Sequence, residues 1–429
     1  MAAHPLLEEH AGGPAVRMIA GLAGLDEPRA RLLQIEEETA GRGVPRKLSV
    51  YPAEAAFDLV AELEHLPWRT AEPNIFFHPR FLIPAMPRLD DRPVRLMVVR
   101  DGDETSSRVR FLMPYTLERP GFGVSAPIIR AWTTPFAPQG SPLIDNDDAV
   151  GVVEDVLDIL ARPHLKLPEV LVLPEVRMDG TAAQAIRTAA IGRGLPFTTA
   201  DTAARPFLER SDVDGEQYVR RALGSHHRRE YQRLWRRLAG RGQLVYSISR
   251  EPDQIRRRFE EFLALEASGW KGRRGTAMLA DRYQAAFARE AVNALAGRDL
   301  VRIHSLDLDG RAIALLVVFV EAGEAWTWKT AFDEALSEFS PGTLLMLELL
   351  KTHLEDPNIV RTDSCATPDH PVVSRLFRER RDVATLIVGL HAGADHAVRK
   401  AAAQMDLYRR TRHFARSFRA RLTRLAPRR

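Results

Sequence analysis

Apolar residues in the first half of the chain follow helical spacing in three segments and strand-like patterns between them. The two strand-like runs that are separated by an Asp-Gly turn, "VRLMVVRDG" and "RVRFLMPYTLE", predict a β-hairpin. A continuous apolar run, "EVLVLPEV", predicts a buried strand. The helical segments are "PAEAAFDLVAELEHL", "DAVGVVEDVLDILA" and "TAAQAIRTAAIGRG".

The second half repeats this order with longer elements. Helices are predicted for residues 215–242, 253–269, 282–298, 343–355 and 371–380. Strands are predicted for residues 300–310, 311–323, 324–334, 358–366 and 384–391, and a loop for residues 335–342. Both halves therefore read as helices, a β-meander, a loop into a helix, a strand and another helix, although no identity between them is evident residue by residue.

A chain of 429 residues exceeds what one hydrophobic core usually organises. We expect an α/β (α+β) protein with two domains, each a mixed, largely antiparallel sheet flanked by helices. The predicted division is a flexible N-terminal segment at 1–44, domains at 45–205 and 206–393, and a basic helical tail at 394–429.

Charge is unevenly distributed. The chain carries a net charge of +4, but residues 395–429 hold eleven Lys and Arg against two acidic residues, a local charge of +9. The tail is either a solvated extension or a contact for an anionic partner such as the membrane inner leaflet or nucleic acid.

Cysteine usage and hydropathy indicate a cytoplasmic protein, with peripheral contact at the inner membrane as an alternative. Cys365 is the single cysteine, which excludes an intramolecular disulfide. No apolar run approaches the ~18 residues that a membrane span needs, and the N-terminus lacks a secretory pattern. Without a paired Cys/His set, we expect no metal site.

The segment "FSPGT" predicts an anion site at the start of a helix, where free N–H groups and the helix dipole converge. Ser340 is a candidate N-cap, and Pro341 suits the first helical position. Gly342 and Thr343 leave the backbone unobstructed. An ordinary capped helix is the alternative.

The glycine-rich stretch "WKGRRGT" follows a predicted helix and is the candidate acceptor-binding loop. Trp270 offers a flat face for a sugar ring or adenine, and the cations Lys271, Arg273 and Arg274 suit phosphate or carboxylate. Glu266, at the end of the preceding helix, is a second-choice base. The alternative is a helix–loop–helix with a packed tryptophan.

Four blocks in this order resemble a branch of GNAT-superfamily bacterial acetyltransferases linked with cellulose or exopolysaccharide biosynthesis, which is similar in fold to the Fem-type aminoacyltransferases. The blocks are "LEASGWKGRRGTA", "WTWKTAFDE", "FSPGTLLMLELL" and "DSCATPDHP". Weaker blocks of the same family are "FFHPRF" and "PFAPQGSPLID", so the resemblance spans residues 48–392.

The resemblance implies tandem GNAT-like domains, of which the second keeps the acyl-donor features, with acetyl-CoA or another acyl-CoA as donor. The family's splayed strands would place Trp328 and Lys329 beside the thioester, with Lys329 as an anion or oxyanion contact. One feature departs from the superfamily. "EFSPGTLL" replaces the basic, glycine-rich phosphate loop, and Fem-type relatives with a degenerate loop accept aminoacyl-tRNA instead.

Candidate bases lie at strand ends, a favoured place for chemistry in sheets with crossover helices. Asp363 is preferred over Asp333, and His370 is a third candidate because it titrates near neutrality. Capping or turn hydrogen bonds are the alternative role for each of them. For Cys365, a core thiol is favoured over a nucleophile.

Three functions remain open. The first is a CoA-dependent acyltransferase acting on an amine or hydroxyl of a small molecule or saccharide. The second is an aminoacyl-tRNA-dependent transferase, and the third a non-catalytic partner in exopolysaccharide assembly. The arginine-rich segment "SHHRREYQRLWRRL" predicts a solvated helix face, and because it has few aromatic residues for base stacking we expect no nucleic-acid partner.

Overall fold

The structure is a computed structural model that describes residues 38–40, 45–102, 108–120 and 125–425, with side chains placed through residue 411. Most of the predicted flexible segment at 1–44 therefore lies outside the described residues. So do the side chains of the last part of the predicted basic tail.

Helices and strands alternate along the chain, with several short 3-10 turns between them. The helices are α1 (Val60–Leu63), α2 (Pro79–Leu89), α3 (Ala149–Leu160), α4 (Thr181–Gly192), α5 (Gly215–Ala222), α6 (Ser225–Ala239), α7 (Pro252–Ser268), α8 (Trp270–Arg273), α9 (Arg282–Ala296), α10 (Pro341–Glu355), α11 (Val373–Leu376) and α12 (Asp395–Leu425). The strands are β1 (Glu38–Ala40), β2 (Arg46–Pro52), β3 (Arg95–Asp101), β4 (Val109–Glu118), β5 (Ile128–Ala131), β6 (Leu143–Ile144), β7 (Val170–Arg177), β8 (Phe197–Glu209), β9 (Leu244–Ser249), β10 (Val301–Leu308), β11 (Arg311–Glu321), β12 (Glu324–Phe332), β13 (Arg361–Asp363) and β14 (Glu379–Gly389).

The described strands form one mixed sheet that runs through both halves. Its order is β1-β2-β3-β4-β5-β7-β14-β8-β13-β12-β11-β10-β9, with β6 paired to β4. Most neighbours are antiparallel, but β5 pairs with β7, and β12 with β13, in parallel. The predicted fold class, a mixed and largely antiparallel sheet flanked by helices, is confirmed, and each half contains one parallel pair joined through a helix.

The boundary predicted between residues 205 and 206 falls inside β8. In addition, β14 from the second half lies between β7 and β8. The two halves are thus joined by continuous strand pairing. The division into two domains remains an interpretation of the repeated order.

Several predicted elements differ in detail. Residues 215–242 form two helices because Leu223 leaves helical geometry and Gly224 follows in an extended conformation. The strand predicted for 358–366 is reduced to β13, and the helix predicted for 371–380 is a single turn. The predicted meander at 300–334 and the helices at 253–269 and 343–355 are confirmed within one or two residues.

An aromatic cluster joins the two halves on one face of the sheet. Phe81 of α2 lies 5.2 Å from Phe287 of α9 and 5.9 Å from Trp328 of β12, measured between ring centroids. Phe76, which precedes α2, packs edge-on against Trp326 at 6.4 Å. The segment "FFHPRF" therefore packs directly behind β12, and we call this side of the sheet the aromatic face.

The opposite face of the second half has its own core. Leu316 and Val318 of β11 point into it and meet Leu344, Leu345 and other apolar residues of α10. Helices α5 and α6 complete this side through Val219, Leu234 and Leu238, among others. We call it the α10 face.

A buried ion cluster also crosses between the halves. Arg177 of β7 donates to Glu324 at the start of β12, 2.8 Å away, and lies 3.1 Å from a carboxylate oxygen of Glu72. All three side chains are nearly inaccessible, so this pairing fixes the beginning of β12 against the first half.

The C-terminal helix α12 begins on the sheet and continues past it. Val398 and Ala401 are buried against β7 and β14, whereas Leu407 is 53% exposed. A basic helical tail was predicted here, and α12 is helical through Leu425. Among the described residues, no helix combines the length and apolar character that crossing a bilayer requires.

Candidate functional site

The parallel pair β12–β13 opens partway along. The two strands are in register from Glu324 and Arg361 to Trp326 and Asp363, where β13 ends. Strand β12 continues to Phe332, and beyond Trp326 only the side chain of Thr327 bridges to the Ser364 carbonyl, at 2.8 Å. An unpaired strand edge presents free N–H and C=O groups, so this opening can hold a polar group of a ligand.

Strand β12 is bulged at Trp328. On β11, Val317 opposes Lys329 and Val318 opposes Thr327, which leaves Trp328 without a partner. A bulge re-aims the residues that follow it, and bulges are frequent beside active sites. Neighbouring residues of a regular strand point to opposite faces of the sheet, but the bulge turns the side chains of both Trp328 and Lys329 to the aromatic face.

Lys329 lies in a desolvated position beneath a loop of the first half. Its Nζ donates to the Pro135 carbonyl at 3.2 Å and lies 4.3 Å from the centre of the Phe136 ring. Burial, reinforced by the charge of Lys271 and opposed by Glu266, lowers the pKa of Lys329 to about 8. A lysine that titrates this near neutrality is a candidate functional group.

The neighbouring loop is held by Glu266, whose carboxylate is buried at the end of α7. One oxygen accepts a hydrogen bond from Lys271 Nζ at 2.7 Å, and the other accepts one from the backbone N–H of Met278 at 2.9 Å. Both oxygens are thus engaged within the protein. This arrangement makes Glu266 an anchor of the loop and sets Lys271 near Lys329.

The predicted loop "WKGRRGT" forms the single turn α8 at its start. Gly272 packs against α7 so closely that a Cβ there would lie 1.7 Å from the Ala267 carbonyl oxygen, which requires glycine. Trp270 is 44% exposed, and the Arg274 guanidinium lies 5.1 Å from its ring centre. Arg273 is paired with Glu334. The ring of Trp270 remains available to a ligand at the mouth of a small cleft beside Thr330.

The start of α10 lies at the end of β12, where Phe332 contacts Gly342. A Cβ on Gly342 would be 3.3 Å from the Phe332 ring. Ser340 occupies the N-cap position in a left-handed conformation with φ of 52°, but its side chain makes no capping hydrogen bond. The amides of Thr343 and Leu344 are bonded to the Ser340 carbonyl. The helix start therefore contacts the end of β12, and the candidate N-cap Ser340 makes no side-chain capping hydrogen bond.

Asp363 marks the point where β13 ends. Its carboxylate accepts a hydrogen bond from Arg205 at 3.2 Å and one from the backbone N–H of Cys365 at 2.7 Å. Arg205 is itself shared with Glu175. Asp363 is 3% exposed, and this saturation suits a residue that fixes the strand end more than one that exchanges protons with a substrate.

Two of the candidate bases, Asp333 and His370, make capping hydrogen bonds. The Asp333 carboxylate accepts a hydrogen bond from the Ala335 N–H at 2.9 Å and lies 3.4 Å from Arg311. The ring of His370 accepts from the N–H of Val373 at 3.2 Å, at the start of α11, and burial lowers its pKa. Both geometries correspond to the capping alternative, and the structure places neither ring nor carboxylate against Lys329.

Cys365 follows Asp363 in a left-handed conformation, with φ of 49°. Burial and the Asp363 charge raise the pKa of its thiol well above the ordinary value. Such a thiol is a weak nucleophile. The favoured interpretation, a core thiol, agrees with this environment.

The structure thus brings Lys329, Trp328, Lys271 and Glu266 together, with the exposed Trp270 at the rim. Sequence reasoning missed the partners from the first half, Pro135 and Phe136, and it missed Arg205. The segment "PFAPQGSPLID" had been noted as a block of the resemblance, and it contains the first two. Arg205 lies in β8, a strand whose mixed polar pattern gave no signal.

The corresponding opening in the first half is closed by the chain itself. Strands β5 and β7 are paired at Ile129 and Leu171. Further along β7, the Pro174 carbonyl accepts a hydrogen bond from the Gly140 N–H at 3.0 Å. A Cβ on Gly140 would lie 2.4 Å from that oxygen. Of these two parallel pairs, β12–β13 is consequently the one that opens.

Within the described part of the chain, no group of three or more His, Cys, Asp or Glu side chains is placed to hold a metal ion.

Comparison with known protein families finds a match within the second half of the chain. Residues 225–363 match a family model described as "Acetyltransferase (GNAT) domain". That region runs from the start of α6 to the end of β13 and so includes the opening, Lys329 and the α10 start. No curated protein matches the chain significantly.

Solved structures with a similar arrangement include three that cover most of this chain. L-PGS from Bacillus licheniformis is 11% identical, with coverage of 81% of this chain and 96% of that one and a TM-score of 0.45. FemX is 9% identical, with 77% and 95% coverage and a TM-score of 0.47. A tandem GNAT protein from the clavulanic acid biosynthesis pathway is 15% identical, with 80% and 98% coverage and a TM-score of 0.38.

All three TM-scores lie below 0.5, and we draw no conclusion from these likenesses. The family match and the geometry of β12, α10 and β13 carry the assignment. Residues 225–363, within the second half of this chain, therefore match the model of an acetyltransferase (GNAT) domain.

Proposed function

We propose that this protein is an acyltransferase that moves an acetyl or other acyl group from CoA to an amine or hydroxyl of a small-molecule or saccharide acceptor. Polysaccharide or cell-envelope biosynthesis is the setting that the sequence resemblance suggests. The observation that carries the proposal is Lys329, which lies beside the opening between β12 and β13 with its pKa lowered to about 8.

In this proposal the acyl carbonyl enters the opening between β12 and β13. The unpaired edge of β12 then supplies N–H groups for the oxygen that becomes negative as the acceptor attacks. Lys329 is mostly protonated at pH 7, since its pKa is about 8, and its ammonium stabilises that oxygen. Preorganised donors of this kind typically contribute ~10²–10³ in rate.

The anionic part of CoA would lie near the start of α10, at Pro341, Gly342 and Thr343. Support comes from the contact between Gly342 and the end of β12, which sets the helix start next to the opening. The acceptor would approach past Trp270 and Lys271, which line the cleft, with Arg273 and Arg274 following in the same loop.

Binding of the donor tests the proposal without knowledge of the acceptor. Thermal denaturation of the purified protein is followed with acetyl-CoA, longer acyl-CoA esters and free CoA. Occupancy at ~100 times the dissociation constant should stabilise the fold by about 2.7 kcal/mol. If no CoA species shifts the transition and an aminoacyl-tRNA does, the donor is an aminoacyl group on RNA and the CoA proposal is wrong.

Turnover then tests Lys329. With an acceptor identified by mass spectrometry of acylated amines and amino sugars, Lys329→Met should lower kcat by ~10²-fold or more. Lys166→Met is the matched control, because Lys166 is exposed in a turn of the first half. Equal rates for both variants would remove Lys329 from the mechanism.

A further inference from the structure

A second cavity lies on the α10 face, away from Lys329. It is a groove of about 400 Å³ between α5, α6 and α10. Lys329 opposes Val317, which belongs to the core of the aromatic face, whereas Leu344 and Leu347 of the groove belong to the core of the α10 face. The sheet therefore separates the groove from the candidate catalytic site.

The floor of the groove is apolar. It is formed by aliphatic side chains of α5 and α10 and by two aromatic side chains of α6, all packed into or against the core of the α10 face. These residues are Val219, Leu223, Leu344, Leu347, Tyr231 and Trp235. An apolar floor of this kind gains free energy from covering by an apolar chain, at roughly 25 cal/mol per Å² removed from water.

The cationic side chains at the rim of the groove differ in whether they form ion pairs. Lys351 is neutralised within the protein, since its Nζ lies 2.6 Å from Glu216 and 3.0 Å from Glu348. Arg228 and Arg236 also line the groove, but neither forms an ion pair with any carboxylate among the described residues. The rim consequently carries three cations against two carboxylates, and both carboxylates are engaged by Lys351, which leaves the guanidinium groups of Arg228 and Arg236 available above an apolar floor.

The neighbouring arginines show that pairing is available on this helix. Arg233 is paired with Glu230, and Arg237 and Arg241 both reach Glu338. Among the described residues, Arg228, Arg229 and Arg236 of this helix form no ion pair, and of these three Arg228 and Arg236 line the groove. Guanidinium groups bind phosphate and carboxylate in a planar, two-pronged geometry, which suits a single anionic headgroup.

We propose that this groove binds an anionic amphiphile, with an apolar chain along the floor and one phosphate or carboxylate headgroup at Arg228 and Arg236. The groove lies across the sheet from Lys329, its Leu344 follows the start of α10 where the donor phosphates are proposed to bind, and the proposal does not depend on the proposed function. A nucleic acid is disfavoured, because Trp235 and Tyr231 are partly buried in the wall and do not present a stacking platform.

Dodecyl phosphate, used below its critical micelle concentration, is the probe. Calorimetric titration of the full chain should give saturable binding that strengthens from octyl to decyl to dodecyl phosphate. Inorganic phosphate and the neutral dodecyl maltoside should each bind at least tenfold more weakly. Equal binding of dodecyl maltoside, or affinity independent of chain length, would overturn the proposal.

Substitutions of the rim arginines test whether dodecyl phosphate binds in this groove. The double variant Arg228→Gln/Arg236→Gln should lose at least tenfold in affinity for dodecyl phosphate. Arg228→Lys/Arg236→Lys should recover part of it, and Arg229→Gln, on the same helix but outside the groove, should bind normally. These are surface substitutions, and thermal denaturation verifies that each variant is folded. Unchanged affinity in the double Gln variant contradicts the assignment.

Two competition experiments decide between occupants. Saturating acetyl-CoA should leave dodecyl phosphate binding unchanged, and displacement would show that the groove is part of the donor site instead. A single-stranded RNA oligonucleotide should not compete at physiological salt. Competition that depends on Arg228 and Arg236 would identify a polyanion site and would also overturn the amphiphile proposal.

Discussion

Lys329 Nζ donates a hydrogen bond to the Pro135 carbonyl oxygen, 3.2 Å away, and so links the second half's candidate catalytic residue to a loop of the first half. The next residue of that loop, Phe136, accepts a hydrogen bond from the Trp328 indole at 2.8 Å. Although the opening in the first half is closed by its own chain, that half therefore shapes the site by covering Lys329 and desolvating it.

Desolvation of the Lys329 ammonium lowers the stability of the folded protein at neutral pH. A pKa lowered from 10.5 to about 8 means that the protonated form is disfavoured in the folded state by about 3 kcal/mol. Between pH 8 and 10.5 the unfolded chain holds a proton that the folded chain has released, so this unfavourable contribution diminishes as the pH rises. Below pH 8 it is present in full.

We therefore expect Lys329→Met to be more stable than the parent protein at pH 7 by about 1–2 kcal/mol. The variant no longer buries a charged ammonium, and only part of this gain is offset by loss of the contacts to Pro135 and Phe136. The difference in unfolding free energy between Lys329→Met and the parent protein should shrink between pH 8 and 10. Urea denaturation at several pH values measures it, with Lys166→Met as the flat control. A variant that is destabilised equally at pH 7 and 10 would contradict the desolvated position of Lys329.

The activity should also depend on the protonation of Lys329. Because the protonated ammonium is the form that stabilises the oxyanion, kcat should fall as the pH rises through about 8. The charge of Lys271 lowers the pKa of Lys329, so Lys271→Met should move this alkaline limb to higher pH, and Glu266→Gln should move it to lower pH. Opposite displacements, or none, would show that the limb belongs to another group.

Substitution of Asp363 distinguishes a structural role for its carboxylate from a role as the catalytic base. Removal of its buried charge leaves Arg205 short of a partner, so Asp363→Ala should cost about 3–5 kcal/mol in unfolding free energy. Asp333→Ala, which removes a partly buried cap, should cost about 1 kcal/mol. Chemical denaturation of both variants provides the comparison. If Asp363→Ala lost activity at unchanged stability, Asp363 would be the base and not an anchor of β13.

Trp270 should matter for acceptor binding alone. Its ring is 44% exposed at the rim of the cleft, so Trp270→Ala should change stability by less than about 1 kcal/mol. The acceptor KM should rise about tenfold while the donor Kd stays the same. Trp68→Ala, at an 82% exposed tryptophan of the first half, is the matched control. A rise in the donor Kd would place Trp270 on the donor instead.

Much of the second half was predictable because its elements are long and periodic. The meander β10–β12 and the helices α7, α9 and α10 each bury a regular face, and the apolar pattern records this directly. Helix α2 was missed because it contains Pro84 and Pro87, which normally argue against a helix. Strand β8 was missed because many of its residues, such as Thr199 and Asp201, are polar or partly exposed.

The site itself was predictable in part. Lys329, Trp328 and the "WKGRRGT" loop were identified from residue type and resemblance, and the structure brings them together. The bulge at Trp328 was not foreseen, because a bulge depends on pairing with β11 and leaves no periodic signal. The capping roles of Asp333 and His370 depend on local backbone geometry, which residue type alone does not reveal.

The most direct test of the central claim is a crystal structure of the protein with a non-hydrolysable thioether analogue of acetyl-CoA. We predict that the acyl group lies in the opening between β12 and β13, within reach of Lys329 Nζ, and that the phosphates lie near Gly342. An analogue bound elsewhere, with the opening filled by side chains, would contradict the account.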